Sequence, residues 1–455
     1  MQAIQYIVNL GASVMIPIII FILGLCLRTG VGKSLRAGIS IGIGFVGINL
    51  VVGLLTDNLG SAAKAMARNF HLGLSVVDIG WPGTSPMAWA SVVGLIAIPI
   101  SILVNLAMLL TKSTKVINVD IWNVWHFAFT GAFVLTATGS YTWAIIAIII
   151  HSIIAFKIGD MFTPVTNEFF DMEGISIPHG DTGINGVFAK PIDDLIELIP
   201  GVRNINLSTE TIQKKFGIFG QPSIIGAVLG LIIGLMAQFS VGKSLQLAIE
   251  MAAVMELMPV VVKYIMQGLM PISEAAQKTF NKHFKGATFT IGMDPALLLG
   301  NSDVISASLL FVPITLLLAV IVPGNKVLPF GDLATIGYFV ALAVGVHKGN
   351  LFRTIISGSV FMSMTIWIAN QTYPILDKLG RATHVLGSGK TVASLDQGGN
   401  QVTYLINQLI TGKFSVGFFV IFILWVGAFI YTYVSYKRGT LYKKNEKNSE
   451  QIDKK

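Results

Sequence analysis

Eleven apolar runs, each near the length of a membrane-crossing helix, divide this chain and leave few folds open to it. A hydrocarbon core of ~30 Å is crossed by about 20 apolar residues in helical form. Runs close to that length fall at roughly 6–27, 37–56, 86–110, 121–140, 142–158, 216–238, 245–270, 304–323, 332–347, 353–372 and 414–435. Lipid offers backbone N–H and C=O groups no partners, so such runs are expected as helices. Only 12% of the 455 residues are charged, about half the share a soluble domain carries. The 47 glycines suit helices that pack closely or break within a bilayer. An all-α polytopic membrane protein follows.

The net charge of +8 does not point to nucleic acid, because the basic residues sit in short clusters between apolar runs. That pattern reads as positive-inside topology. An odd span count puts the two ends on opposite sides. The basic tail 437–455, "YKRGTLYKKNEKNSEQIDKK" with its preceding Tyr436, reads as disordered and cytoplasmic, which leaves the N-terminus outside. Arg28, Lys33, Arg36, Lys112, Lys115, Lys278, Lys282, Lys285, Lys348 and Arg353 then fall inside, while Lys64, Arg68, Lys243 and Lys326 fall outside, against the trend. "MQAIQYIVNL" has no basic n-region or cleavage site, so the first run is expected to be retained. The single cysteine, Cys26, forms no intramolecular disulfide or metal cluster and is expected to be a buried small hydrophobe.

Shifting the chain by a little over 210 residues aligns a series of elements in the same order. "SAAKAMARNFH" at 61–71 meets "SEAAQKTFNKHF" at 273–284, "IGWPGTSPMAW" from Ile79 meets "IGMDPALLLGN" from Ile291, "AIPISILV" meets "FVPITLLL", and Asp120 meets Asp332. Residues 1–215 and 216–412 are read as two repeats of five spans. Residues 413–436 are read as a final span and 437–455 as the tail. Five spans per copy invert the second repeat, an arrangement that places substrate near the midplane between broken helices. The polar, glycine-rich segments 160–200 and 375–412 are read as re-entrant hairpins, because irregular backbone at membrane depth survives only when buried in protein or lining a wet cavity. In "GISIPHGDTGING" the glycines permit tight turns, and Pro178 stops a helix just before His179.

The motifs "DIGWPGTSPMAWAS", "NVDIWNVWHFAFTGA", "GISIPHG", "IGMDPALLLG" and "VPGNKVLPFGDLATIGYFVALAVGVHKGNLFRT" resemble the galactitol-type enzyme IIC of the bacterial phosphoenolpyruvate-dependent sugar phosphotransferase system. The resemblance extends nearly end to end, and the wider superfamily includes an ascorbate transporter. It implies a homodimer in the bacterial cell membrane, each protomer having eleven spans, a core domain with two re-entrant hairpins, and a V-shaped domain that carries the dimer contact. It implies an elevator-type motion of the core. It also implies that the chain moves sugar without being phosphorylated, while separate IIB and IIA proteins carry a phosphocysteine and a phosphohistidine. No soluble domain here is long enough to be IIB, so the phosphoryl donor is expected on another chain, with no catalytic residue, cofactor or metal in this one.

A polyol offers only hydroxyls, so its site needs carboxylates, amides and imidazoles placed to match. His179 and Asp181 on the first hairpin lead the candidates, against a turn whose Asp merely caps backbone. His126, beside Asn123, Trp122 and Trp125, is costly in a span unless it faces a cavity or a partner. Thr84 and Ser85 mark the first helix break, and Asn301 and Asp303 its counterpart. Asp294 reads as the cap of a half-helix, Asp332 as a cap or a ligand, and Asp396 and Gln397 as the second hairpin's counterparts to His179 and Asp181. His151 reads as packing, as do Glu250 and Glu256, one of which could pair with Lys263. Trp81 and Trp122 could pack on the C–H faces of a polyol. The stretch 205–216 reads as a solvated linker helix, with IIB docking as the alternative. The rival function is a proton-coupled symporter using Asp294 or Asp303, with no phosphotransferase partners. "GSGKT" at 387–391 lacks the leading glycine of a phosphate loop (Val385 stands there) and is discounted.

Overall fold

The structure, a computed structural model, describes residues 12–69, 76–207, 209, 222–283, 289–329, 331–383 and 391–442. The first half contains α1 (Ala12–Cys26), α2 (Val31–Asn69), β1 (Val76–Asp78), α3 (Gly80–Ala90), α4 (Val92–Leu110), β2 (Val116–Asn118), α5 (Ile121–Thr138), α6 (Tyr141–Glu168), β3 (Ile175–Ser176), α7 (Thr182–Gly186) and α8 (Ala189–Glu197). The second contains α9 (Pro222–Met236), α10 (Val241–His283), β4 (Thr290–Gly292), a 3-10 turn at Pro295–Gly300, α11 (Ser302–Ile321), β5 (Val327–Leu328), a 3-10 turn at Gly331–Thr335, α12 (Ile336–Val346), α13 (Leu351–Ala382), β6 (Val392–Ala393) and α14 (Gln401–Thr411). A last helix, α15 (Val416–Lys437), follows.

Short polar side chains set the helix starts. Ser91, Asp120, Ser140, Asn301, Asn350, Asn400 and Ser415 each accept a hydrogen bond from a backbone N–H in the first turn that follows. Such caps satisfy donors that a helix beginning in an apolar environment cannot give to water. Five described helices, α4, α6, α11, α13 and α15, are long and apolar enough to cross a membrane. The protein is polytopic and mostly helical.

Each of the eleven apolar runs contains a helix, but the boundaries differ from the sequence reading. The run at 86–110 is broken at Ser91, whose extended backbone (φ −73°, ψ 148°) ends α3 and caps α4. The amphipathic stretches 61–69 and 273–283 are continuous with the preceding runs, giving helices of 39 and 43 residues. Cys26 is exposed rather than buried, because α1 turns that side outward. The α2 and α10 backbones approach closely: a Cβ at Gly268 would stand 2.5 Å from the Ala37 carbonyl oxygen, so only glycine fits.

The all-α expectation misses two small parallel sheets. One has the order β5-β1-β6 and the other β2-β4-β3. In the first, Val77 lies opposite Leu328 and Val392; in the second, Ile291 lies opposite Ile117 and Ile175. Each central strand comes from one half of the chain and both its neighbours from the other half. These ladders satisfy the irregular backbone that connects the helices. They also position chemistry: Asp78 ends β1, and Asp120, His179, Asp294, Asp332 and Asp396 lie within four residues of the ends of β2 to β6. Ligands of open parallel sheets gather at this carboxyl edge.

Candidate functional site

His179 follows β3 on a turn that Pro178 and the buried strand hold in place. Its Nδ1 accepts from the Thr182 backbone N–H at 3.1 Å and lies 3.0 Å from the Thr182 hydroxyl. A backbone N–H can only donate, so the ring proton is assigned to Nε2, which points toward Asp294 Oδ2 at 3.9 Å. His126, on α5, has the opposite tautomer. Its Nδ1 lies 3.1 Å from the Trp122 carbonyl oxygen, which can only accept, so Nδ1 carries the proton. In the neutral ring the lone pair on Nε2 then faces Asp396 Oδ1 at 3.6 Å with no hydrogen-bond partner. The two rings meet edge to face with centroids 4.0 Å apart. One imidazole thus presents a donor and the other an acceptor, side by side and each next to a carboxylate.

The turn after β3 reaches this position because residue 180 is glycine. A Cβ there would lie 2.5 Å from His126 Cβ and 3.0 Å from His151 Nε2. His151 Nε2 in turn lies 3.3 Å from the Gly180 carbonyl oxygen, which also accepts from Asn400 Nδ2 at 2.7 Å. Thr130 links His151 Nδ1 and the Thr403 hydroxyl, each at 2.7 Å. His151 is packed as expected, but its action is specific: it holds the turn at Gly180 while Asn400 and Thr403 join that turn and α5 to the start of α14. Gln401 Nε2 donates to Asn185 Oδ1 at 3.0 Å, and Asn185 Nδ2 donates to Asp181 Oδ1 at 3.1 Å. Asp181 Oδ2 is buried with no hydrogen-bond partner.

The expected site residues divide into groups. His126, His179, Asp181, Asp396 and Gln397 come together, with Gln397 Nε2 donating to Asp396 Oδ1 at 3.1 Å. Asn123 is buried on α5 beside them; its amide N–H donates to Asn118 Oδ1 at 2.8 Å while its own oxygen has no partner. Thr84 and Ser85 are buried on α3, where the Thr84 hydroxyl donates to the Gly80 carbonyl at 3.1 Å. Asn301 and Asp303 are engaged elsewhere: Asn301 caps α11, and Asp303 accepts from the Thr209 backbone N–H at 2.9 Å. Asp332 does not cap its own helix. It accepts from Trp81 N at 2.9 Å, Asp396 N at 2.8 Å and the Ser394 hydroxyl at 3.3 Å, tying the segment after β6 to α3. Asp294 caps the 3-10 turn through Ala296 N at 2.7 Å, as expected, and its Oδ2 faces His179 as well.

Asp78, unnoticed in the sequence, accepts from Gly80 N, Asp332 N and Leu395 N at 3.0, 2.9 and 3.2 Å. Asp120 is likewise a clasp, accepting from Trp122 N at 2.9 Å and Asp294 N at 3.1 Å. Tyr338, also missed, lies tilted against His179 with ring centroids 6.0 Å apart, and Trp81 meets Trp122 edge to face at 5.9 Å. Among the described residues no Lys or Arg forms an ion pair with Asp120, Asp181, Asp294, Asp332 or Asp396; the partners within reach are histidines. Glu250 accepts from Gln246 on α10, an exposed contact within one helix. Of the stretch 205–216, residues 208 and 210–216 lie outside the described residues. So do most of "GSGKT" and the tail beyond 442.

Residues 6–389 match the family model of the sugar-specific permease component of the phosphotransferase system, EIIC-GAT. The chain belongs to this family. It is 51% identical over 446 residues, 98% of each chain, to the galactitol-specific EIIC component of Escherichia coli strain K12, and equally to that of strain O157:H7. A permease component of this kind is a membrane transport subunit for sugar that works with the system's IIA and IIB proteins and is not an enzyme alone. Membership favours phosphotransferase uptake over the ion-coupled symporter.

Proposed function

We propose that this chain carries galactitol, or a polyol of closely similar configuration, to phospho-IIB at the inner face of the membrane, bound at the paired imidazoles His126 and His179. The observation that carries the reading is the pair of opposite tautomers. A hydroxyl both donates and accepts, so one hydroxyl can accept from His179 Nε2 while another donates to His126 Nε2. Asp181, Asp294, Asp396, Gln397 and Asn123 supply further partners. Trp81 and Trp122 offer apolar faces to the C–H side of the polyol. The galactitol-specific relatives, at 51% identity, support the substrate class. Thr84, Ser85 and Asp332 act behind this layer by fixing α3 and the second hairpin. Asn301 and Asp303 act at the start of α11.

The interleaved strands support a chain built from two inverted repeats, 1–215 and 216–412, each with five spans and a hairpin, followed by the span 413–436. On this reading α2 and α10, with α1 and α9, form the V-shaped unit that pairs two protomers, and the hairpin-bearing remainder slides against it. The C-terminal tail faces the cytoplasm and the N-terminus the outside.

The test is uptake into vesicles supplied with purified IIA and IIB and a panel of polyols. Galactitol is expected to appear inside as its phosphate only when both partners are present, and His179→Ala is expected to abolish binding in a folded protein. Accumulation of unmodified polyol without the partners, collapsed by an uncoupler, would overturn the mechanism. Unchanged affinity in His179→Ala would overturn the site.

A further inference from the structure

Resting on the reading of His179 and Asp181 as polyol ligands, we infer that the last helix, α15, serves the binding site: Trp425 and Thr432 are positioning residues that fix the backbone behind those two side chains without touching the polyol. α15 lies outside both proposed repeats. Its buried face is a seam of alternating three- and four-residue steps, Phe418, Ile421, Trp425, Ala428, Thr432 and Ser435, the spacing of a helix docked along one stripe. Two members of that seam reach the segment just after His179. The Trp425 indole N–H donates to the Ile184 carbonyl at 3.1 Å, and the Thr432 hydroxyl donates to the Val187 carbonyl at 2.8 Å, both in buried surroundings.

Both carbonyls need an outside donor for a reason written in the local sequence. α7 has only five residues, and a helix end leaves carbonyls without intrahelical partners. The Ile184 carbonyl would ordinarily take the N–H of Val187 or Phe188, but both of these go to the Asn185 carbonyl. The Val187 carbonyl would take the N–H of residue 191, which is proline and has none. Ile184 and Val187 are fully buried, so neither carbonyl can turn to water instead. α15 supplies the two donors and thereby pins the end of α7 and the residue after it. The same short helix carries the effect to the site. The Thr182 N–H and hydroxyl hold His179 Nδ1, and the Asn185 amide holds Asp181 Oδ1. A five-residue helix is only about 7.5 Å long, so a shift at one end is transmitted to the other. Trp425 is itself kept in place by Phe429, whose ring stacks on it with centroids 5.4 Å apart.

Galactitol binding and its phosphorylation by added IIA and IIB, both measured on the full-length protein in nanodiscs, test this. Thr432→Val keeps the shape of threonine and removes the hydroxyl; Trp425→Phe keeps an aromatic ring and removes the indole N–H. In each variant the Kd for galactitol is expected to rise about tenfold, while the rate at saturating galactitol stays within about twofold, because His179 and Asp181 hold the polyol throughout the reaction. Thr432→Ser restores the donor and is expected to return Kd to within about twofold of the unmodified protein. Ile421→Val trims the same seam where there is no hydrogen bond, and is expected to lower the unfolding temperature with Kd within about twofold. Kd within about twofold in Thr432→Val, alongside loss of binding in His179→Ala, overturns the inference and leaves the polyol site standing. Failure of Thr432→Ser to rescue overturns it as well, as does a fall in maximal rate with Kd unchanged, the mark of a role confined to stability. Normal affinity in His179→Ala removes the site reading, and the inference with it.

Discussion

Gly180→Ala probes how closely the turn after β3, the tip of the proposed first hairpin, must fit against α5. The residue is not in the left-handed region, so alanine brings no backbone strain and its effect is purely one of contact. The new methyl would stand 2.5 Å from His126 Cβ and 3.0 Å from both His126 Cγ and His151 Nε2. Carbon atoms rest at about 3.5–4.0 Å, so the hairpin must retreat by roughly 1 Å. His126 Cβ is fixed to a helix and cannot yield. Overpacking of this kind costs about 1–3 kcal/mol, which a large membrane protein can absorb, but a 1 Å displacement of positioning groups can cost about 100-fold in function. The retreat opens the 4.0 Å contact between His126 and His179 and carries His179 and Asp181 away from their partners. Calorimetric titration with galactitol is expected to show affinity reduced by about 10- to 100-fold, with unfolding still cooperative. Gly427→Ala is the control, since nothing lies within 4 Å of a Cβ there. Affinity within about twofold of the unmodified protein would show that the hairpin does not depend on this contact.

Asp332→Asn is nearly isosteric, yet its amide must turn N–H groups toward Asp396 N or Trp81 N, both of which donate. About 1–3 kcal/mol of stability should be lost, seen as a lower unfolding temperature and weaker galactitol binding. Asp193, on α8, accepts from His347 Nδ1 at 3.1 Å and Arg353 at 2.7 Å. Burial alone would raise its carboxyl, but these hydrogen bonds and charges outweigh it and hold it below its ordinary 3.8. Its stabilisation is therefore complete above the unfolded value and is lost as pH falls through the lower folded one. Thermal unfolding between pH 7 and 3 should fall more steeply for the unmodified protein than for Asp193→Asn; parallel curves would refute the assignment.

Much of this architecture was legible because lipid simplifies the code: a run of 20 apolar residues has few alternatives to a helix, and all eleven runs contain one. The histidines were legible for the same reason, since His126 and His179 in apolar surroundings require partners. The sheets were not. Strands of two or three residues such as Ile175–Ser176 have no periodicity to read, and their pairing depends on segments more than 100 residues away. That is why Asp78 escaped notice. It looks like a loop aspartate until β5 and β6 bring Asp332 and Leu395 to it. Asn301 and Asp303 show the converse limit: a polar break beside a helix start reads equally as ligand or cap from sequence, whereas the structure shows which backbone groups each engages.

The same criterion separates the carboxylates of the core. An ionised carboxylate has about four lone-pair sites, and burying it without donors is costly. Asp78, Asp120 and Asp332 meet that demand with fixed backbone N–H groups from both halves of the chain, so they act as clasps across the strand ends. Asp181 and Asp294 each satisfy one oxygen with a local amide or backbone N–H and leave the other without a partner or toward His179, while Asp396 turns the oxygen that takes the Gln397 amide toward His126 as well. Their unmet demand is what a polyol's hydroxyl hydrogens can fill. Each clasp uses both its oxygens so that the second set can stay open, because carboxylates held short of donors persist only where surrounding structure over-determines their positions. Binding and architecture thus draw on one residue type at one carboxyl edge, distinguished by how many donors the fold supplies to each.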